Sequence, residues 1–133
     1  MVIKMQKIRE YGTVFTIGAL GYGTLEILFR GHTHWTMLLT GGACFCFMYM
    51  TDRLIGEKSI FVRSLVCGAF VTETEFIVGC LCNKIADMHV WDYSDRPWSV
   101  MGQICPGFSA LWIALSMPAL LLCRFLRKRL SQK

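Results

Sequence analysis

Charged residues are scarce in this chain of 133 residues, at 17% of the total against about 25% in ordinary soluble proteins. With 54% hydrophobic residues and a mean hydropathy of +0.46, that scarcity excludes an ordinary soluble domain and points to a membrane protein. Acids are scarcer than bases: 9 Asp and Glu stand against 14 Lys and Arg, a formal charge of +5. The bases fall in short clusters between apolar stretches and not on one face of a soluble fold, so no nucleic-acid partner is expected. Chemical signatures are missing as well. There is no C-x-x-C, and the seven cysteines, an odd number, lie in or beside apolar runs. They read as small packing residues, not as a disulfide framework or a metal site. H-E-x-x-H, G-x-S-x-G, the Gly-x-Gly-Asp of intramembrane aspartyl proteases and the phosphate-binding G-x-x-x-x-G-K-S/T are absent. Neither an enzyme nor a cofactor is therefore expected, and any nucleotide would be hydrolysed by a partner.

What is present is a succession of four apolar stretches: Tyr11–Phe29, Trp35–Met50, Ile60–Cys82 and Trp98–Cys123. Each approaches the roughly 20 residues that cross a bilayer. The first is not followed by an A-x-A cleavage site before Arg30, so it reads as a retained span and not a removed signal peptide. The expected architecture is all-α, an integral membrane bundle of about four transmembrane helices in one domain, 1–133. An even number of spans puts both termini on one side. If that side is cytoplasmic, only Arg30, Lys84 and Arg96 of the bases lie outside, the bias the positive-inside rule demands. Trp35, Trp91, Tyr93 and Trp98 then fall at the outer interface, where amphipathic rings are expected to anchor.

Small residues recur along the first three stretches: Gly12, Gly18, Gly21 and Gly23, then Gly41 and Gly42, then Gly68 with Ala69. They allow helices to approach closely where packing must replace the hydrophobic drive. Pro106 and Pro118 are expected to interrupt backbone hydrogen bonds in the fourth span.

The acids inside these stretches carry the functional argument. A charge at bilayer depth costs about 2.5 kcal/mol or more on insertion scales, so Glu26, Glu73 and Glu75 each need a partner, a proton or a wet cavity. Counting about 1.5 Å per residue from Ile60, Glu73 and Glu75 lie a little beyond the midplane, and Glu26 reaches a similar depth in the first span. Glu73 and Glu75 are two residues apart, so on a regular helix only one of them faces a given cavity. Glu26 is four residues before Arg30, a spacing at which the two can neutralise each other. The outer loop, 83–97, adds Asp87, His89, Asp92 and Asp95, and the first loop adds His32 and His34. Their spacing matches no metal motif, and Asp92 reads as a residue that pins its loop ahead of the fourth helix.

The run from Thr72 to Gly79, then Val90-Trp91-Asp92-Tyr93-Ser94, Arg96-Pro97 and Met101 to Cys105 resembles the Putative ABC-transporter type IV family of small bacterial multi-pass membrane proteins. Glu75 to Gly79, Trp91 to Ser94 and Gly102 to Cys105 match, in order, its Glu-aromatic-aliphatic-x-Gly, W-D-Y-S and G-x-I-C elements. The resemblance covers about the C-terminal third. The early G-P-x-x-P-x-Y-G element is replaced by Gly31 to Tyr49, and Ser99 stands where Asn is expected. The resemblance implies a bacterial cell-membrane protein, a permease-like or accessory subunit of a transport system. Such a subunit would be homo-oligomeric or joined to a partner membrane subunit or a separate ATPase, with Glu75 preferred to Glu73 as the acid that matters. The substrate or ion pathway expected from the sequence is Glu75, Glu73, Glu26 and Asp92. Two other classes fit the same composition: a holin-like pore former with the basic tail from Arg124, and a structural or regulatory membrane partner.

Overall fold

The computed structural model of the protein describes residues 2–31 and 33–130, with the side chains at 2, 3, 29 and 30 not included. His32 and the Glu26–Arg30 pairing expected from their spacing lie outside the described residues. The chain is all-helical: α1 (Val2–Arg30), α2 (Trp35–Ile55), α3 (Ile60–Gly79), a π-helical turn (Cys80–Ile85) and α4 (Pro106–Leu130). Among the described residues no strand forms, and one isolated antiparallel bridge joins Val100 to Ile104.

Short polar connections set the helix ends. His34 caps α2, its Nδ1 accepting from the backbone N–H of Thr36 at 3.3 Å, and Ser59 caps α3 through Val62 N–H at 3.2 Å. Each cap satisfies a donor that a helix start leaves free. α1 packs on α2 and α3 on α4, while α2 also touches α3 and α4. α1 and α2 run antiparallel, as their short connection requires: a Cβ placed on Gly18 would meet Phe45, and one on Gly23 would meet Leu38. The small residues therefore do what their spacing suggests at most positions. At Gly68 a Cβ would lie 2.3 Å from Ile113 Cγ1 and 3.0 Å from its Cα, so the α3–α4 contact is nearly backbone to backbone. Gly12 and Gly21 are the exceptions, with nothing within 4 Å of such a Cβ.

Two helical segments, Ile60–Ile85 and Pro106–Leu130, are long and apolar enough to cross a membrane. Only 22% and 17% of their most apolar windows are buried inside the bundle, which separates them from the core helices of a soluble protein. Their outward faces present Phe61, Val62, Leu65, Ile77 and Leu81 on one and Leu111, Leu121 and Phe125 on the other. An apolar surface of that extent needs a nonaqueous neighbour.

The boundaries differ from expectation in one place that matters. The fourth helix starts at Pro106, not Trp98. Trp98, Met101 and Gly102 adopt φ of 57°, 56° and 74°, and no α-helix passes through such residues. Pro106 consequently opens the helix, where its missing N–H costs nothing, and only Pro118 lies inside it.

One end of the bundle is closed by charge. Asp52, in the last turn of α2 and fully buried, accepts from Arg63 Nη1 at 2.9 Å and from Arg127 Nε at 2.9 Å, with Arg124 Nε at 3.3 Å. Arg124 also donates to the Gly56 carbonyl at 2.6 Å, and Arg63 to that of Lys58 at 3.1 Å. Beside this knot Glu10 accepts from Arg53 Nη2 at 3.0 Å and from the Tyr49 hydroxyl. The Arg53 guanidinium lies 5.8 Å from the ring centres of Tyr11 and Tyr49, within cation–π range. All four helices are thus tied together at this basic end, over an apolar cluster of Val14, Phe45, Tyr49 and Cys123.

Candidate functional site

At the opposite end the polar groups are arranged differently. Glu75 sits on the inward face of α3 and is 4% exposed. Its Oε2 accepts from the Tyr93 hydroxyl at 3.1 Å and its Oε1 from the Trp112 indole N–H at 3.4 Å. Glu73, two residues earlier, lies on the exposed outward face, as the helical period demands. Of the two adjacent acids, the fold turns Glu75 inward.

Tyr93 reaches Glu75 because the long loop folds back into the mouth of the bundle. Trp91 and Tyr93 are 6% and 5% exposed and cluster with Met37 and Cys105. Trp91 Nε1 donates to the Gln103 carbonyl at 3.0 Å, and Asn83 Nδ2 to Gln103 Oε1 at 2.8 Å. Tyr93 stacks on Phe108 with ring centres 4.6 Å apart. The expectation that all four aromatic residues would anchor at an outer interface is corrected for two of them. Trp35 and Trp98 are exposed, but Trp91 and Tyr93 are buried within the protein, where their N–H and O–H find partners.

Asp92 is also not at a polar centre. It points outward, exposed, and its Oδ1 accepts from the Ser94 backbone N–H at 2.9 Å and from the Ser94 hydroxyl. Those two bonds hold its carboxyl below the usual range, the hydroxyl contributing most. A Cβ on Gly102 would lie 2.7 Å from Asp92 Oδ1, so the turn is pressed against a glycine whose positive φ side chains rarely adopt. Asp92 therefore acts on the site at one remove, by fixing the turn that carries Tyr93. The exposed side chains of Asp87 and His89 lie 2.9 Å apart, Oδ1 to Nε2. Among the described residues no cluster of three or more metal-ligating side chains forms.

Glu26 is buried at 7% exposure on α1. It accepts from Thr33 Oγ1 at 2.7 Å and from the Tyr22 hydroxyl at 3.5 Å. The Tyr22 ring lies 6.0 Å from that of Trp112. Glu26 and Glu75 are thereby linked through two aromatic side chains, Tyr22 and Trp112, across the gap between α1 and α4.

That gap is a cavity of about 480 Å³, within the range of small-molecule sites. All four helices contribute to its wall, including Ile17 and Gly21 of α1, Met37 and Cys44 of α2, Val71 of α3, and Leu115 and Pro118 of α4. The wall is apolar apart from Glu75, Thr40 and the polar edges of Tyr22, Trp112 and Cys44. Glu75 is its one carboxylate; Glu26 stands behind Tyr22 and is not part of the lining. The sequence places the acids at similar depth but carries no signal for the cavity, at whose edge Gly21 faces open space.

A family model described as Putative ABC-transporter type IV matches residues 11–133, far more of the chain than the C-terminal third in which its motifs are legible. No curated protein and no solved structure matches the chain. Its all-helical fold and apolar outer faces agree with that match, and the chain belongs to the Putative ABC-transporter type IV family, as a transport-associated membrane protein.

Proposed function

We propose that the chain is a membrane-embedded, permease-like or accessory subunit of a transport system, and that the cavity around Glu75 is its intramembrane acidic site. One observation carries the reading: a carboxylate on a helix long and apolar enough to cross a membrane is buried against the Tyr93 hydroxyl and the Trp112 indole N–H at the wall of a cavity large enough for a small molecule. Intramembrane acids mark substrate or ion pathways by default. The chain crosses a bacterial cell membrane four times as a single domain, with the basic end cytoplasmic. Asp52 with its arginines, the α2–α3 connection and the α4 terminus would all lie on that side, in keeping with the distribution of bases. It performs no catalysis of its own; four helices without an internal repeat are few for a complete carrier, so it works as an oligomer or with partner subunits that include an ATPase.

The test uses a strain lacking its own copy. Wild-type protein restores the deletion phenotype, whereas Glu75→Gln and Glu75→Ala do not, although both accumulate in the membrane. Full function of both variants would remove the carboxylate from the mechanism. Co-purification of an ATP-binding subunit with the wild-type chain checks the assembly half of the proposal.

A further inference from the structure

α1 packs on α2, and α4 packs on α2 and α3, so α1 and α4 face each other across the cavity. Toward the basic end the gap between them is closed by the cluster of Val14 and Cys123, and toward the loop end by the rings of Tyr22 and Trp112. Its rim is formed by exposed residues, Gly21 and Leu25 on α1 and Pro118 and Leu122 on α4. The cavity therefore opens sideways, toward whatever surrounds the bundle. Chemistry, length and width together select its occupant. The polar side chains of the wall are engaged within the protein. Thr40 donates to the Thr36 carbonyl at 2.8 Å and Tyr22 to Glu26 at 3.5 Å, while Glu75 accepts from Tyr93 and Trp112. The Cys44 thiol behaves as a small hydrophobe. What the wall offers is hydrocarbon and thioether surface such as Ile17, Met48 and Leu115. Such a wall suits neither water, which when buried makes about three hydrogen bonds, nor a polar solute, which would lose its own.

The wall runs from Ile17 to Leu25 on α1 and from Trp112 to Leu122 on α4, about 12–15 Å at 1.5 Å per residue. That is close to one leaflet, half of a hydrocarbon core of roughly 30 Å, and the slot lies along the helices as acyl chains do. Spread over that length, a volume of about 480 Å³ leaves a cross-section of roughly 30–40 Å². A helix with its side chains is 10–12 Å across and needs roughly 80–110 Å², so the cleft is too narrow for a helix of a second copy. A polymethylene chain, with carbons in contact at about 4 Å, needs roughly 20 Å². We propose that the cleft between α1 and α4 holds an acyl chain of a bilayer phospholipid, admitted sideways and laid along the helices, with its headgroup left at the membrane surface. From the proposed function this takes only that the helices cross the bilayer; the charge of Glu75 has no part in it.

The test separates a chain inside the cleft from lipid that merely surrounds the bundle. The protein is reconstituted in nanodiscs of phosphatidylcholine doped with the same lipid carrying a diazirine midway along one acyl chain. After irradiation, adducts are mapped by mass spectrometry. Wild type is expected to carry them on Cys44 and Phe45, which line the cavity and are buried, as well as on the outward faces at Leu65 and Leu121. A side chain at Gly21 meets nothing at Cβ, so Gly21→Leu fills the gap from the α1 side. It should remove the adducts on Cys44 and Phe45 and leave those on the outward faces. Gly21→Ala, a smaller filling, should reduce the inner adducts in part and guards against misfolding of the leucine variant. Glu75→Gln should leave the inner adducts unchanged.

Adducts confined to the outward faces in the wild-type protein would overturn the proposal. Inner adducts that persist in Gly21→Leu would overturn the route between α1 and α4. If the inner wall stays unlabelled and Gly21→Leu changes the oligomeric state, a second copy and not a lipid covers the cleft. Inner adducts lost in Glu75→Gln would overturn the independence from the acid. Complementation by the Glu75 variants is read separately: full function of both with inner labelling intact removes the acidic site and leaves the lipid site standing. A chain labelled on neither face would overturn the membrane placement, and the lipid site with it.

Discussion

Asp52 and Glu75 are both buried carboxylates in a chain with few acids, and they sit about 20 Å apart along α3's direction. Asp52 is surrounded by permanent charge: Arg63, Arg124 and Arg127 converge on its two oxygens. Glu75 is held by a phenol and an indole. The first arrangement fixes a charge and the helices that bear it, and leaves little for a ligand to do. The second orients a carboxylate through a hydroxyl and an indole N–H on the wall of a cavity. Burial alone does not separate a structural acid from a functional one; the nature of the partners and the adjoining space does.

This difference predicts a ranking of substitutions. Asp52→Ala should be the most damaging change, because it strands Arg63, itself only 6% exposed as a side chain. Removing one partner of a buried pair costs about 3–5 kcal/mol. Arg124 and Arg127, a third or more exposed, should each matter far less when replaced, since solvent screens such pairs. Thermal unfolding in detergent measures both effects, and an Asp52→Ala protein as stable as wild type would collapse the comparison. Glu75→Ala comes next, losing about 1–3 kcal/mol because two buried donors lose their acceptor. Glu75→Gln keeps a carbonyl oxygen for one of them and should cost less than Glu75→Ala, so that its functional loss exceeds its stability loss. Tyr93→Phe, which removes one hydrogen bond and preserves the stack on Phe108, should cost about 1 kcal/mol.

The smallest effect concerns pH and the loop alone. The Asp92 carboxyl is held below its ordinary value by Ser94, so its contribution to the turn is complete above the unfolded value and is lost as pH falls through the lowered one. Protection of the Ser94 amide, its exchange rate referred to the intrinsic rate at each pH, should fall in that acid window, and Asp92→Asn should remove the pH dependence of that protection while leaving the bundle intact. Protection that is indifferent to pH in the wild-type protein would show that the turn is fixed by Gly102 and its neighbours instead.

Much of the fold was legible, for physical reasons that also explain the errors. Helix number follows from long apolar runs, and the inward choice between Glu73 and Glu75 is a matter of period, so sequence could state that only one faces in. The start of the fourth helix was misread because hydropathy reports burial and not conformation. Residues 98–105 are uncharged, yet Gln103 and Cys105 are buried there as part of a loop. Trp91 and Tyr93 were misplaced for a related reason: an amphipathic ring suits a lipid interface and a buried site with a hydrogen-bond partner equally well. Asp52 and Arg53 read as the polar end of a span, because composition counts charges without saying which of them meet. The convergence of three arginines from α3 and α4 on one carboxylate depends on helix neighbours that no local pattern specifies.

The π-helical turn between α3 and the loop has a consequence for how this architecture tolerates length changes. It is closed by a bond from the Ala86 N–H to the Leu81 carbonyl at 3.0 Å, five residues back, where an α-helix would reach four. Such a turn carries one residue more than its α counterpart. Deleting a single residue within 80–85 would let that turn close as an α turn, with the chain leaving the axis at nearly the same angle. Trp91 and Tyr93 should then keep their aim at the bundle mouth. A one-residue deletion earlier in α3, where no turn holds a spare residue, should instead rotate everything after it about 100° around the axis, making 80–85 the stretch in which this architecture can shorten.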